Sequence, residues 1–61
     1  MQIEIPIPKG KRNDTLFKLG ETLVQRGMGP MQMYLYLHTT NRYLCEEPLG
    51  DRELLNISSH I

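Results

Sequence analysis

The chain has 61 residues, of which 39% are hydrophobic and 23% are charged, so it forms one small domain at most. Seven lysines and arginines balance seven acidic residues, and this zero net charge argues against a free-standing nucleic-acid-binding protein, which usually has a clear basic excess. A single cysteine, Cys45, excludes an internal disulfide, and no apolar run approaches the roughly 20 residues of a membrane span. Because small secreted domains usually need disulfides, we expect a cytoplasmic protein.

The first segment, MQIEIPIPKG, alternates isoleucines with other residues, which is typical of a β-strand, and it lacks the pattern of a signal peptide. Pro6 and Pro8 each remove a backbone donor, and no second strand is predicted with which the segment could pair. Residues 1–9 are therefore predicted to be an extended arm. Its apolar side would consist of Ile3, Ile5 and Ile7. The arm either lies on the helices through these isoleucines or is the end of a linker from a preceding domain.

Residues 10–61 are predicted to form a helical domain. Its first helix spans about residues 13–26 and has a stripe of apolar side chains that could face a core. That stripe consists of Leu16, Leu19 and Leu23. Gly20 lies inside the helix, at a cost of about 1 kcal/mol relative to alanine, and we expect it to allow another helix to approach closely. Gly27 is a suitable end for this helix.

The second helix is predicted to begin with Gly29 as the N-cap and Pro30 at the first position, and to end before Pro48. The third helix follows Gly50. Glu53 falls at its third position, from which a capping-box side chain reaches back to the cap residue. These elements predict an all-α fold, namely a small three-helix bundle with an extended N-terminal arm.

Three stretches follow one another in a fixed order. They are Gly10-x-Arg12-Asn13-x-x-Leu16, then Asn41, then Pro48-Leu49-x-x-x-Glu53-x-x-x-Ile57. In this order and spacing the chain resembles the helical C-terminal domain of bacterial, phage and plasmid primases, over about residues 8–60. It departs from that family at Gly50, where the family usually has Ser or Thr, and at His60, where the family has a serine.

The resemblance implies an accessory domain of a DNA replication primase, without catalytic residues, metal or cofactor of its own. In such proteins a catalytic primase domain precedes this domain in the same chain, and a helicase or another replication module follows in some of them. The helical domain would assist template or nucleotide engagement, or would couple these modules. The expected partners are therefore the catalytic primase domain, and beyond it a helicase or single-stranded DNA. The alternative is a purely structural module for protein–protein interaction or oligomerisation.

Cations and an asparagine gather where the first helix begins. In a structural interpretation, Asn13 is the N-cap, and Arg12 pairs with Glu47, Asp51 or Glu53. In a functional interpretation, the helix N-terminus and the neighbouring cations hold a phosphate. The predicted nucleic-acid-binding residues are Lys9, Lys11, Arg12, Asn13 and Lys18.

Aromatic residues of the second helix are the other candidates for binding nucleic acid. Tyr36 and Tyr43 are predicted to stack on bases, because aromatic rings accept bases without sequence preference. The competing interpretation is that they only cover the helix surface. We assign Glu53 to capping rather than catalysis, since a general acid or base needs a partner and a cleft. His38 and Cys45 are two helical turns apart, too far to share a metal ion.

Overall fold

Three α-helices make up most of the structure, which is a computed structural model that describes residues 3–61. They are α1 (Arg12–Gln25), α2 (Pro30–Leu44) and α3 (Asp51–Ser59), and a short 3₁₀ turn, Lys9–Lys11, leads into α1. The predicted all-α fold with three helices is therefore confirmed. Residues 1 and 2, the start of the predicted arm, lie outside the described residues.

The C-terminus of α1 is closed by Gly27. Its φ of 93° lies in the left-handed region, which glycine adopts without steric cost. The Gly27 amide donates to the Val24 carbonyl at 2.9 Å, and the Met28 amide donates to the Leu23 carbonyl at 3.1 Å. These two bonds form a Schellman motif, which satisfies carbonyls at the end of the helix and turns the chain towards α2.

Glycines also stand at the N-termini of α2 and α3. Gly29 is the N-cap of α2 with Pro30 at the first position, and Gly50 is the N-cap of α3, as predicted. Glu53 lies in the first turn of α3, but within residues 3–61 it does not close the predicted capping box. Gly50 has no side chain with which to complete that box. Instead, Asp51 and Glu53 place negative charge at the positive end of the helix dipole.

The core lies where the arm and the three helices meet, and each contributes one fully buried side chain. These are Ile7, Leu16, Leu37 and Leu54. Gly20 is buried where α1 meets α2, and a Cβ atom there would clash with Ile61 and lie 3.2 Å from the Leu37 Cδ1 atom. The close approach predicted at Gly20 is therefore confirmed.

The arm lies on the helices, beside the end of α2. The Ile7 amide donates to the Leu44 carbonyl at 2.8 Å, and the Glu46 amide donates to the Ile7 carbonyl at 3.0 Å, so Ile7 and Cys45 form a single parallel bridge. The side chain of Ile7 is only 1% exposed. The prediction that Ile5 lies on the same side is wrong, because the chain bends there and leaves the regular alternation of a strand, so that Ile5 is 63% exposed.

Candidate functional site

A buried amide joins the end of α2 to the start of α3. Asn41 is 4% exposed, and its Nδ2 atom donates to the Leu49 carbonyl at 2.9 Å. The Leu49 amide in turn donates to the Asn41 Oδ1 atom at 2.8 Å. Both backbone polar groups of Leu49 are thus satisfied inside the protein, where leaving them unpaired would be costly. This pair of bonds fixes the proline-containing corner, residues 45–50.

The turn before α1 is attached to the same corner. The Arg12 Nη1 atom donates to the Glu47 carbonyl at 2.6 Å, and its Nε atom donates to the Lys9 carbonyl at 3.0 Å. The Lys9 ammonium lies 3.4 Å from the Glu47 carboxylate. Arg12 therefore binds one of its three predicted partners, Glu47, but through the backbone carbonyl and not through the carboxylate. The reason is that its rigid guanidinium fork spans two carbonyls.

Asn13 does not cap α1, and that prediction is wrong. The 3₁₀ turn Lys9–Lys11 continues directly into α1, so the helix starts at Arg12 with Lys11 as its N-cap. Asn13 therefore lies inside the first turn, whereas a capping side chain needs the extended backbone of the N-cap position. Its side chain is exposed and makes no hydrogen bond within residues 3–61.

The predicted lysines are exposed, and each forms an ion pair at the surface. Lys9 pairs with Glu47, Lys11 with Glu4 at 3.4 Å and Lys18 with Asp14 at 3.2 Å. Ion pairs of such exposure contribute roughly 0–1 kcal/mol, so a phosphate group could replace the carboxylates. The structure brings Lys9, Lys11 and Arg12 together in one turn, which we call the basic turn, while Lys18 lies further along α1.

Both predicted stacking residues line a shallow groove on α2, which we call the tyrosine groove. It has a volume of about 410 Å³ and is lined by Tyr36, Thr39, Thr40, Tyr43 and Leu44. Tyr36 is 50% exposed and Tyr43 is 73% exposed. The Leu44 carbonyl accepts the hydrogen bond from Ile7, two residues before Lys9, so the arm that leads into the basic turn contacts a residue of the tyrosine groove.

Arg42 is a further cation, beside Tyr43, that our predictions from the sequence did not include. Its guanidinium carbon lies 5.8 Å from the centroid of the Tyr43 ring, within the range of a cation–π contact. It forms no ion pair within residues 3–61. The adjacency of Arg42 and Tyr43 in the sequence could have predicted this contact. By contrast, nothing in the sequence could have predicted the bond from Arg12 to the Glu47 carbonyl, because every residue has a carbonyl.

Cys45 and His38 are the remaining candidates for a reactive or metal-binding site. Burial raises the pKa of the Cys45 thiol, and the charge of Arg12 offsets part of that rise, so the thiol is a poor nucleophile. His38 lies 3.6 Å from the Asp51 carboxylate, linking α2 to α3. Residues 3–61 contain no group of three His, Cys, Asp or Glu side chains that could hold a metal ion. None of the helices described is long and apolar enough to cross a membrane.

A model of a known protein family matches the chain. The family model described as Primase C terminal 1 matches residues 2–57, which include the arm, the basic turn, α1, α2 and the corner, and α3 as far as Ile57. No curated protein and no solved structure matches the chain.

Proposed function

The chain belongs to the family of primase C-terminal domains, and on this premise we propose that it helps a catalytic primase domain of the same parent chain to engage single-stranded template. We assign it no catalytic residue: primer synthesis would be performed by the preceding domain, in the cytoplasm where the template is replicated. Coupling to a helicase would be a second use of the same small domain.

The tyrosine groove is the observation that supports template engagement best. Two of the three tyrosines of this chain lie outside the core, on one face of α2. Stacking of a base on an aromatic side chain contributes about 1–3 kcal/mol and tolerates every base, which suits a protein that must accept any template sequence. Arg42 beside Tyr43 adds a cation for the neighbouring phosphate.

The basic turn would extend the contact along the template backbone. Lys9 and Lys11 would exchange their exposed carboxylate partners for phosphates, and each exchange would release counterions. Arg12 would act differently, holding the turn in place through its bonds to two carbonyls. Because the net charge of the chain is zero, we propose that stacking rather than charge supplies most of the affinity.

The test is a fluorescence-anisotropy titration of a labelled single-stranded oligonucleotide with the 61-residue chain at low salt. We expect weak binding that added salt reduces, and a loss of about tenfold for Tyr43→Ala, in line with the stacking contribution of one base. Lys11→Ala should lower the dependence on salt concentration, since one phosphate contact is lost.

Two variants serve as controls in this titration. Tyr43→Phe keeps the ring and should bind nearly as well as the wild type. Leu35→Ala removes an exposed apolar side chain from the same helix but outside the tyrosine groove, and it should leave binding unchanged. If the wild type and Tyr43→Ala show equal and negligible binding, the proposal fails for this domain.

Docking of a neighbouring protein module is a second candidate, and exposed apolar side chains on α2 favour it. Met31 is 76% exposed and Leu35 is 57% exposed, and their spacing of four residues places them side by side on the helix. Light scattering of the chain with the adjoining domains of its parent protein would test this role. We expect a complex that Leu35→Ala weakens, and no complex at all would exclude it.

A further inference from the structure

A second groove separates the first turn of α1 from the end of α3. It has a volume of about 400 Å³ and is lined by Asn13, Phe17, Asn56, Ile57 and His60. Ile57 is buried and Phe17 is half-buried, so they form its apolar floor, while the three polar side chains are exposed around it. This α1–α3 groove shares no lining residue with the tyrosine groove.

The polar groups of the α1–α3 groove are free to bind a ligand. Within residues 3–61, the side-chain amides of Asn13 and Asn56 make no hydrogen bond, and each offers a donor and an acceptor. The His60 Nδ1 atom lies 2.7 Å from the Asn56 carbonyl. Since a carbonyl only accepts, Nδ1 carries the proton in this contact.

An exposed cation, Arg52, lies beside the α1–α3 groove. Arg52 lies one helical turn before Asn56, lines the adjoining surface groove together with it, and forms no ion pair within the described residues. The N-terminus of α1, where Asn13 lies, has a partial positive charge. Two acidic residues are nearby: Asp14 is paired with Lys18, and Glu53 lines the adjoining surface groove together with Arg52.

We propose that the α1–α3 groove binds one nucleobase together with its phosphate. The base would stack on Phe17 and receive hydrogen bonds from the amides of Asn13 and Asn56, as asparagine amides commonly pair with the edge of adenine. Arg52 would contact the phosphate. This inference deepens the proposed function, because it adds a nucleobase site on a different face. The base could belong to a free nucleotide or to a DNA strand, since both present the same chemistry.

The experiment is an NMR titration of the ¹⁵N-labelled chain, in which the side-chain NH₂ signals of Asn13 and Asn56 report directly on the site. Three probes are compared: dATP, single-stranded hexadeoxyadenylate and inorganic tripolyphosphate. We expect dATP or the hexanucleotide to shift both NH₂ signals in a saturable way, and tripolyphosphate not to do so. Whichever of the two ligands shifts them identifies the source of the base.

Variants decide whether the amides bind the base. Asn13→Ala and Asn56→Ala should each weaken binding by about fivefold, the equivalent of one hydrogen bond of about 1 kcal/mol. Gln25→Ala, which removes another exposed amide from α1 outside the groove, is the matched control and should bind like the wild type. All three side chains are exposed, and the backbone spectrum verifies that each variant is folded.

Several results would overturn this inference. One is the absence of shifts at both asparagines with dATP and with the hexanucleotide; a second is equal shifts with tripolyphosphate; and a third is unchanged affinity in both asparagine variants. If the hexanucleotide shifts the signals of Tyr36 and Tyr43 but neither asparagine, the proposed function stands and the α1–α3 groove is excluded as a base site.

Discussion

The last turn of α2 and the first turn of α1 each contain an asparagine of the same sequence pattern, but the two side chains have opposite surroundings. Asn41 is buried, and both ends of its amide are bonded to Leu49. Asn13 is exposed and has no partner within residues 3–61. One asparagine therefore stabilises the fold, whereas the other is available to something outside it.

The difference between these two regions shows that some residues of one sequence motif support the fold, while others are exposed to a ligand. Three groups converge on the corner: the amide of Asn41, the guanidinium of Arg12 and the ammonium of Lys9. Together they hold the turn that presents Asn13. A rigid support of this kind allows exposed side chains to be positioned for a ligand at little entropic cost on binding.

The largest effect should come from replacing the buried asparagine. Asn41→Ala removes two hydrogen bonds and leaves the buried amide and carbonyl of Leu49 without partners, so we expect the free energy of unfolding to fall by about 2–4 kcal/mol. Urea unfolding followed by circular dichroism measures this change. In a domain of only 61 residues, such a loss should be visible as partial unfolding without denaturant.

Asn13→Ala is the matched control for that experiment. Its side chain is exposed and unbonded, so the free energy of unfolding should change by no more than about 0.5 kcal/mol. Similar losses in the two variants would show that the contrast between the two asparagines is false and that Asn13 also supports the fold.

Much of the fold could be predicted because glycine and proline determine where helices begin and end. The start of α2 at Pro30, the end of α1 at Gly27 and the close packing at Gly20 all follow from local geometry or the absence of a side chain. The exposure of Ile5 could not be predicted, because strand periodicity applies only while the backbone stays extended. The start of α1 was missed by one residue, and this small shift changed the role of Asn13.

The candidate site could be predicted from the sequence less completely than the fold. The docking of Arg12 depends on a backbone carbonyl of Glu47, which leaves no trace in the residue types. The α1–α3 groove brings residue 13 beside residue 56, and only the packing of the two helices places them together. The binding roles of Lys9, Lys11 and Lys18, and of Tyr36 and Tyr43, remain predictions for the titrations above.

A smaller difference in the free energy of unfolding is expected between variants of two neighbouring cations of the basic turn. Arg12→Lys loses the rigid fork that spans the carbonyls of Lys9 and Glu47, and we expect a loss of about 1 kcal/mol in the free energy of unfolding. Lys11→Ala removes only an exposed ion pair with Glu4 and should cost less than about 0.5 kcal/mol. Urea unfolding of the two variants would contradict this ranking if Lys11→Ala proved the more damaging.

The smallest effect concerns the pH dependence of the corner. Burial raises the pKa of Cys45, so above the ordinary thiol pKa of about 8.5 the folded state holds a proton that the unfolded state has lost. Stability is therefore fully present below that pH and falls as the pH rises towards the higher pKa of the folded thiol. Urea unfolding at pH 7 and at pH 10 measures this change, and Cys45→Ala should lose less stability between the two pH values than the wild type.

The charge of Arg12 lowers the pKa of the Cys45 thiol, so Arg12→Ala should raise this pKa further. The pH dependence of thiol alkylation would measure the change. An unchanged alkylation profile in Arg12→Ala would show that Arg12 acts on the corner through its hydrogen bonds alone.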